Sequence, residues 1–412
     1  MSRAPRSGRA LAWGVPVLAE AAAFGRSIAF AWAIGPEELG RAMMLALTVR
    51  LVEMASDMGL DRQIVQAPDG DSSRFQAELQ GLAAVRGGAT ALILLALAPL
   101  LAMLFDDGPQ AGAYMALALV PLIRGAAHLD FRRAERRFCY GRMALVEGGA
   151  TLAMLLAIGP ALWFLADHRA MAAVLVAHAL GLSLLSHAVA HRRYRLRLSR
   201  QALRRSWRFG APLILNALML FATFHADRLI VAKAYDWSTL ALYGVALQLA
   251  LLPAQIVGRA AASLALPALR AALMRNALAE VWPRLLSAHA LLALALSLGF
   301  ALFAPPVIAA VYGTAFRPDA ALALALALAA GFRVLRTPYS QLAIAAGRTA
   351  DPARANLWRA LALGPAALCA TVGWPLSAVA AAAALGEGAA TLRAVHLARQ
   401  TPRATHPKEA FA

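Results

Sequence analysis

The sequence predicts an all-α polytopic membrane protein of about twelve transmembrane helices, arranged as two sets of six, and three observations predict it. The chain of 412 residues is 61% hydrophobic and only 15% charged, with a mean hydropathy of +0.61, far too apolar for a soluble chain of this size. Apolar stretches of about 17–25 residues, enough to cross a hydrocarbon core of about 30 Å, recur throughout. Arginine falls in short tracts between these stretches and alternates from loop to loop, as expected where cytoplasmic loops hold the basic excess.

The spans fall near 11–34, 42–60, 82–105, 111–127, 143–165, 170–190, 209–232, 240–262, 285–311, 319–336, 355–373 and 376–397. Charges interrupt the second, tenth and eleventh, which makes their boundaries the least sharp. The first span carries Glu20 and Arg26 and lacks a short apolar core before a small-residue cleavage site, so a cleaved signal peptide is not expected.

Loop charge sets the expected topology. The amino terminus has Arg3, Arg6 and Arg9; the second loop has Arg62, Arg74 and Arg86; the fourth has Arg132, Arg133, Arg136, Arg137 and Arg142. The sixth, His191 to Arg208, holds Arg192, Arg193, Arg195, Arg197, Arg200, Arg204, Arg205 and Arg208. Intervening loops carry Glu37 and Glu38 with Arg41, Asp106 with Asp107, Asp167 with Arg169, Lys233 with Asp236, and Arg317 with Asp319. With Arg399, Arg403 and Lys408 in the tail, both termini are expected in the cytoplasm of a cell whose plasma membrane the chain spans.

The net charge of +18 would suit nucleic acid if it covered a soluble face, but it lies between apolar runs, so membrane topology explains it and no nucleic-acid partner is expected. Cys139 and Cys369 stand far apart, which excludes a disulfide framework and offers no metal-ligand spacing. No polar connection is long enough to fold as a separate soluble domain, so any chemistry belongs to the helices or their surface.

The sixth loop divides the chain into lobes 1–198 and 199–412, and the halves echo one another. Gly14-x-Pro16 is matched by Gly210-x-Pro212, Leu39-Gly40 by Tyr243-Gly244, and Leu122-Ile123-Arg124 by Val334-Leu335-Arg336. Repeats of six spans enter the membrane from the same side, which relates them by an axis along the membrane normal.

Charges within spans cost roughly 2.5–3.5 kcal/mol at a helix centre, so they face a bundle interior or water. In the second span Arg50, Glu53 and Asp57 share a face, with Arg50 and Glu53 close enough to pair. In the seventh, Asn216, Thr223 and Asp227 fall within about 20° of one line along the helix, and Gln248, Gln255 and Arg259 repeat that spacing in the eighth. Glu20 and Arg26 in the first span, Arg333 with Arg336 in the tenth, Glu147 and Glu387 complete the set. For any single residue, pairing across helices or snorkelling to the interface is the plainer explanation; Arg124, Arg228, Arg336 and Arg393 are read as interfacial anchors, and Arg259 suits either an anchor or the cavity. His178, His187 and His289 are read as structural.

The residues left as cavity-lining candidates for substrate binding are Glu20, Arg26, Arg50, Glu53, Asp57, Asn216, Thr223, Asp227, Gln248, Gln255, Arg259 and Arg333. Guanidiniums suit phosphate oxygens, and amides and carboxylates suit sugar hydroxyls. The carboxylates equally suit coupling protons or sodium; no other cofactor and no catalytic or metal residue is expected.

From about Arg208 onward the chain resembles the polysaccharide and oligosaccharide flippases of the multidrug, oligosaccharidyl-lipid and polysaccharide exporter superfamily. The residues that carry the resemblance are Arg208-Phe209-Gly210-Ala211-Pro212, Ala226-Asp227-Arg228-Leu229-Ile230-Val231, Leu242-Tyr243-Gly244 with Gln248-Leu249, and Val311-Tyr312-Gly313 with Phe316 and Ala320. In the first half, Glu38-Leu39-Gly40 and Asp57-Met58-Gly59-Leu60 are similar to the second-span pattern of the same family. The resemblance implies two six-helix lobes around a central cavity. It also implies alternating-access flipping of polyprenyl-diphosphate-linked oligosaccharides across the inner membrane for lipopolysaccharide or exopolysaccharide synthesis. A polymerase and export machinery would then be partners, beside membrane lipids. A drug or metabolite exporter of the same superfamily is the second reading. A membrane glycosyltransferase or polymerase is a third, disfavoured because no sizeable loop or acidic catalytic motif lies outside the spans.

Overall fold

The computed structural model describes residues 6–105 and 110–400, with side chains from residue 14 onward. Arg3, Asp106, Asp107, Arg403, Lys408 and the side chains of Arg6 and Arg9 therefore lie outside the described residues. Everything regular among these residues is helical. The chain forms two compact units, 1–221 and 222–412, whose boundary falls inside a helix.

The first unit begins with α1 (Arg6–Ser56), one long rod broken at Gly35, whose φ of 75° and ψ of −179° take it out of the helical region. Glycine reaches that conformation without the Cβ clash other residues meet, and Pro36 follows as a first-turn residue of the next helical piece. Two membrane crossings thus come from one rod, where a polar loop around Glu37 and Glu38 was expected. Glu37 and Glu38 both bond Arg41 on that second piece. Next come α2 (Leu60–Gln66), α3 (Ser73–Leu104), α4 (Ala111–Ala116), α5 (Leu119–Gly125), α6 (Asp130–Glu135), α7 (Gly141–Leu165) and α8 (Arg169–Ala188). Then α9 (Arg200–Ala234) opens in this unit. The fourth expected span is the pair α4–α5, interrupted at Leu117 and Ala118.

Within this unit α1 packs on α7 and α8, and α3 on α5. The last contact needs glycine on both sides: a Cβ on Gly87 would lie 2.5 Å from the Pro121 carbonyl oxygen and 2.8 Å from the Gly125 Cα. The outer surface exposes many large apolar side chains while some polar ones are buried. On α3, Gln76, Glu78 and Gln80 are buried, whereas Leu92, Leu100 and Met103 are exposed. Such an outer face is stable only against hydrocarbon, and Trp163 and Phe164 at the end of α7 expose the aromatic edge expected at an interface.

The second unit holds the rest of α9, then α10 (Trp237–Met274), α11 (Leu278–Tyr312), α12 (Ala320–Ala345), α13 (Ala350–Leu361), α14 (Leu363–Thr371) and α15 (Leu376–Arg399). Helix α12 is its centre, packing on α10, α11 and α15. Its N-cap Asp319 accepts the Leu322 N–H at 2.7 Å, and α10 starts the same way on Asp236. The eleventh expected span is the pair α13–α14.

Among the described residues nine helices are long and apolar enough to cross a membrane. The break in α1 and the pairs α4–α5 and α13–α14 supply the remaining crossings of a twelve-span chain. This is a multi-pass, all-α membrane protein.

Candidate functional site

The second half of α1 delivers Arg50 and Glu53, and the turn just past its end delivers Asp57, to the wall of a cavity of about 450 Å³ in the first unit. Gly59, in the left-handed region at φ 61°, turns the chain into α2 and brings Asp61 and Arg62 to the same wall. Asp57 fixes that turn by accepting the Gly59 N–H at 2.9 Å. Ser56 of α1, Arg86 and Thr90 of α3, Arg124 of α5, Arg132 of α6 and Asn216 of α9 complete its polar lining.

The lining therefore has five guanidiniums and three carboxylates, and the pairing differs sharply among them. Arg132 is the most heavily paired, with Glu147 at 2.6 Å, Glu135 at 2.9 Å and Asp61 at 3.7 Å. Glu53 makes a close ion pair with Arg124, in place of the expected pairing with Arg50, because α5 presents its guanidinium across the cavity. Asp57 is held only loosely, 3.6 Å from Arg62 and 3.7 Å from Arg86. Arg50 is exposed and makes no ion pair or hydrogen bond among the described residues. Loosely held and unpaired guanidiniums around one volume have the chemistry that suits a phosphate, since each can offer two parallel N–H donors.

Four of the twelve candidates, Arg50, Glu53, Asp57 and Asn216, thus meet at one cavity. Arg124, read as an interfacial anchor, belongs there too. Glu20 is exposed on α1. Arg26 is drawn into the packing of α1 on α7, donating to the Met154 sulfur at 3.3 Å. The other candidates lie in the second unit, and none lines this cavity. There Thr223 and Gln248 are half-buried, and Gln255 and Arg259 are exposed. Asp227 is buried and accepts the Tyr243 hydroxyl at 2.9 Å, so the Asp of one motif is anchored by the Tyr of the next. Arg228 lies 3.4 Å from His225 on its own helix.

Arg333 belongs to a separate cluster. It bonds the Glu387 carboxylate of α15 at 2.5 Å, while Arg336 and Arg359 reach the same carboxylate at 3.1 Å and 2.9 Å. Arg333 and Arg359 also stack over the Phe224 ring, 4.8 Å and 4.4 Å from its centroid. Arg336, expected at the interface, is only 7% exposed because Glu387 draws it inward. Arg359 was missed by sequence reasoning; its one signal is a charge inside the weakly apolar eleventh span.

The comparisons with known proteins follow the same lines. The sequence profile of a family described as "Polysaccharide biosynthesis protein" matches residues 30–320, well over half of the chain. The chain belongs to that family. No curated protein matches it. Among solved structures it is similar to the lipid II flippase MurJ in an inward closed conformation, with a TM-score of 0.75 at 12% identity, over 93% of this chain and 86% of that one. It is also similar to an inward-facing multidrug-resistance transporter of the MATE family of the same exporter superfamily, with a TM-score of 0.67 at 14% identity, over 92% and 93%. The Vibrio cholerae MATE transporter VcmN in its bent form gives 0.55 at 15% identity, over 96% and 98%. These likenesses establish that the chain has the fold of that exporter superfamily.

Proposed function

We propose that the protein flips polyprenyl-diphosphate-linked oligosaccharides across the plasma membrane, as a step of surface polysaccharide synthesis, by alternating access. The observation that carries the reading is the set Arg50, Arg62, Arg86 and Arg124 around one cavity of about 450 Å³ in an integral membrane bundle. That volume lies in the range of about 300–1,000 Å³ typical of ligand sites. It suits a diphosphate with its first sugar, whose hydroxyls Asn216, Thr90, Asp57 and Asp61 can bond, while the polyprenyl tail stays in lipid. Family membership supports the polysaccharide substrate, and the shared fold supports transport. In this scheme a coupling proton or sodium ion would be carried by the cavity carboxylates Glu53, Asp57 and Asp61.

Those same carboxylates favour one second reading, export of a cationic drug or metabolite. Deleting the protein separates the two. The flippase reading expects lipid-linked units to accumulate in the inner leaflet and surface polysaccharide to be lost, both restored by the intact chain. Unchanged polysaccharide with altered drug resistance would replace it by the second.

A further inference from the structure

A different part of the first unit carries chemistry that transport of a glycan does not use. The connection from α8 into α9, residues 191–208, has eight arginines and no acidic residue. It does not hang free. Gln80 donates to the Arg195 carbonyl at 3.0 Å, the Arg197 N–H donates to the Ala77 carbonyl at 3.0 Å, and Arg192 donates to Gln76 at 3.1 Å. Gly81 lets the strap lie against α3, since a Cβ there would stand 2.2 Å from the Arg197 carbonyl oxygen. Where α9 begins, Ala202 and Ser206 turn inward and are buried, Ser206 donating to Gln63 at 3.1 Å.

Docking in this way leaves the outward groups fixed. Leu196, Leu198, Leu203 and Trp207 are exposed by 56%, 64%, 49% and 57%. The arginines alternate with them. Arg205 is taken by Asp69 at 2.7 Å, Arg197 lies 3.7 Å from Glu78, and Arg192 reaches Gln76 and the Asp71 carbonyl. Arg193, Arg195, Arg200, Arg204 and Arg208 have no ion pair or hydrogen bond from their side chains among the described residues. Two of these five, with Arg192, line a pocket of about 180 Å³ shared with Ser73, Gln76, Ala77 and Gln80, whose walls contain no carboxylate.

We propose that this strap is a headgroup-reading surface: Arg192, Arg193 and Arg195 bind the phosphate of an anionic phospholipid, while Leu196, Leu198, Leu203 and Trp207 enter the acyl boundary. Exposed apolar side chains interleaved with unpaired arginines match an anionic interface in both its layers. Free phosphate would satisfy the pocket but leave the four apolar side chains in water. A lipid satisfies both. The strap is bonded along α3, so a bound lipid would be held against the first unit itself.

The test uses the purified full-length protein in detergent micelles doped with brominated phosphatidylglycerol or brominated phosphatidylcholine. Trp207 is isolated as the difference in fluorescence between the wild-type chain and Trp207→Phe. The expected result is stronger quenching by phosphatidylglycerol, with its apparent affinity falling roughly fivefold for each of Arg193→Gln and Arg195→Gln and recovering in the Arg→Lys versions. Inorganic phosphate should compete only weakly. Equal quenching by both lipids, or no change in the glutamine variants while they remain monodisperse, would overturn the proposal. Full competition by inorganic phosphate would replace the lipid by a free anion.

Discussion

Glu53 on α1 and Arg124 on α5, 71 positions apart, form an ion pair across the wall of the first unit's cavity. The pair neutralises one of the guanidiniums that an anionic headgroup could use. Replacing Glu53 by Gln removes that competitor and keeps the side-chain shape. Binding of a polyprenyl diphosphate to Glu53→Gln should therefore tighten by about three- to tenfold, in line with about 1 kcal/mol for a partly exposed pair. Native mass spectrometry of the lipid-bound fraction reads this directly; weaker binding would mean that Glu53 itself contacts the substrate.

The second unit tests the opposite situation, a carboxylate that cannot be spared. Glu387 is 2% exposed and takes contacts from Arg333, Arg336 and Arg359. Glu387→Gln leaves three guanidiniums crowded together without their counter-charge. Breaking a buried pair this way costs about 3–5 kcal/mol. Thermal unfolding in detergent should show a large drop in midpoint, partly restored when Arg359→Gln is added. An unchanged midpoint in the single variant would contradict the cluster.

Helix approach gives a third prediction. Gly87 meets the Pro121 carbonyl where α3 crosses α5. Gly87→Ala should destabilise by about 1–3 kcal/mol, since overpacking forces the backbones apart. Gly88 is the control, because a Cβ there meets nothing within 4 Å. Comparing the unfolding midpoints of the two variants checks it.

At the basic end, acid stability should depend on Asp69. Its hydrogen bond with Arg205 holds the carboxyl below the usual carboxylate range. The folded state therefore binds the proton less readily than the unfolded one, so the stabilisation is fully present above the unfolded pKa and lost as pH falls through the lower folded value. Unfolding midpoints measured from pH 5 down to pH 3 should decline less steeply for Asp69→Asn than for the natural chain. Parallel curves would place the acid sensitivity elsewhere, with Asp130 the next group to test. Burial raises the Asp130 carboxyl, but the hydrogen bonds from Arg133 and the His191 N–H with the Arg133 charge outweigh it and leave it lowered.

Much of this fold is legible in sequence because lipid imposes a length and polarity rule on every span. The rule finds α7 and α8 nearly as they stand and the end of α3, though α3 starts nine residues earlier than its apolar stretch, at Ser73, and it places the strap as a basic connection. It ends the first span at residue 34, beside the break at Gly35, but reads a polar loop there, because the break rests on one backbone conformation inside an otherwise continuous helix. The helical period puts Arg50, Glu53 and Asp57 on one face, and all three line the cavity, although α1 ends at Ser56 and Asp57 reaches the wall from the turn beyond it. It could not choose the partner of Glu53, because Arg124 comes from a helix 71 residues away and only the fold brings it near. Arg336 shows the same limit: a charge near a span end reads as an interfacial anchor until Glu387 of α15 is seen beside it. Asp227 and Tyr243 each stand in the motifs that carry the family resemblance, yet their hydrogen bond is visible only in three dimensions.

In the proposed function the cavity arginines hold the substrate diphosphate during flipping. Proteoliposomes containing the full-length protein, loaded with a fluorescent polyprenyl-diphosphate oligosaccharide, report flipping as loss of signal to a membrane-impermeant quencher. The account predicts that Arg50→Gln and Arg124→Gln each lower the rate by about tenfold or more, as expected for loss of a charge-assisted phosphate contact. In the same account Arg259→Gln, on an exposed face of α10, leaves the rate nearly unchanged. Wild-type rates in both cavity variants, with the protein still folded and inserted, would contradict it.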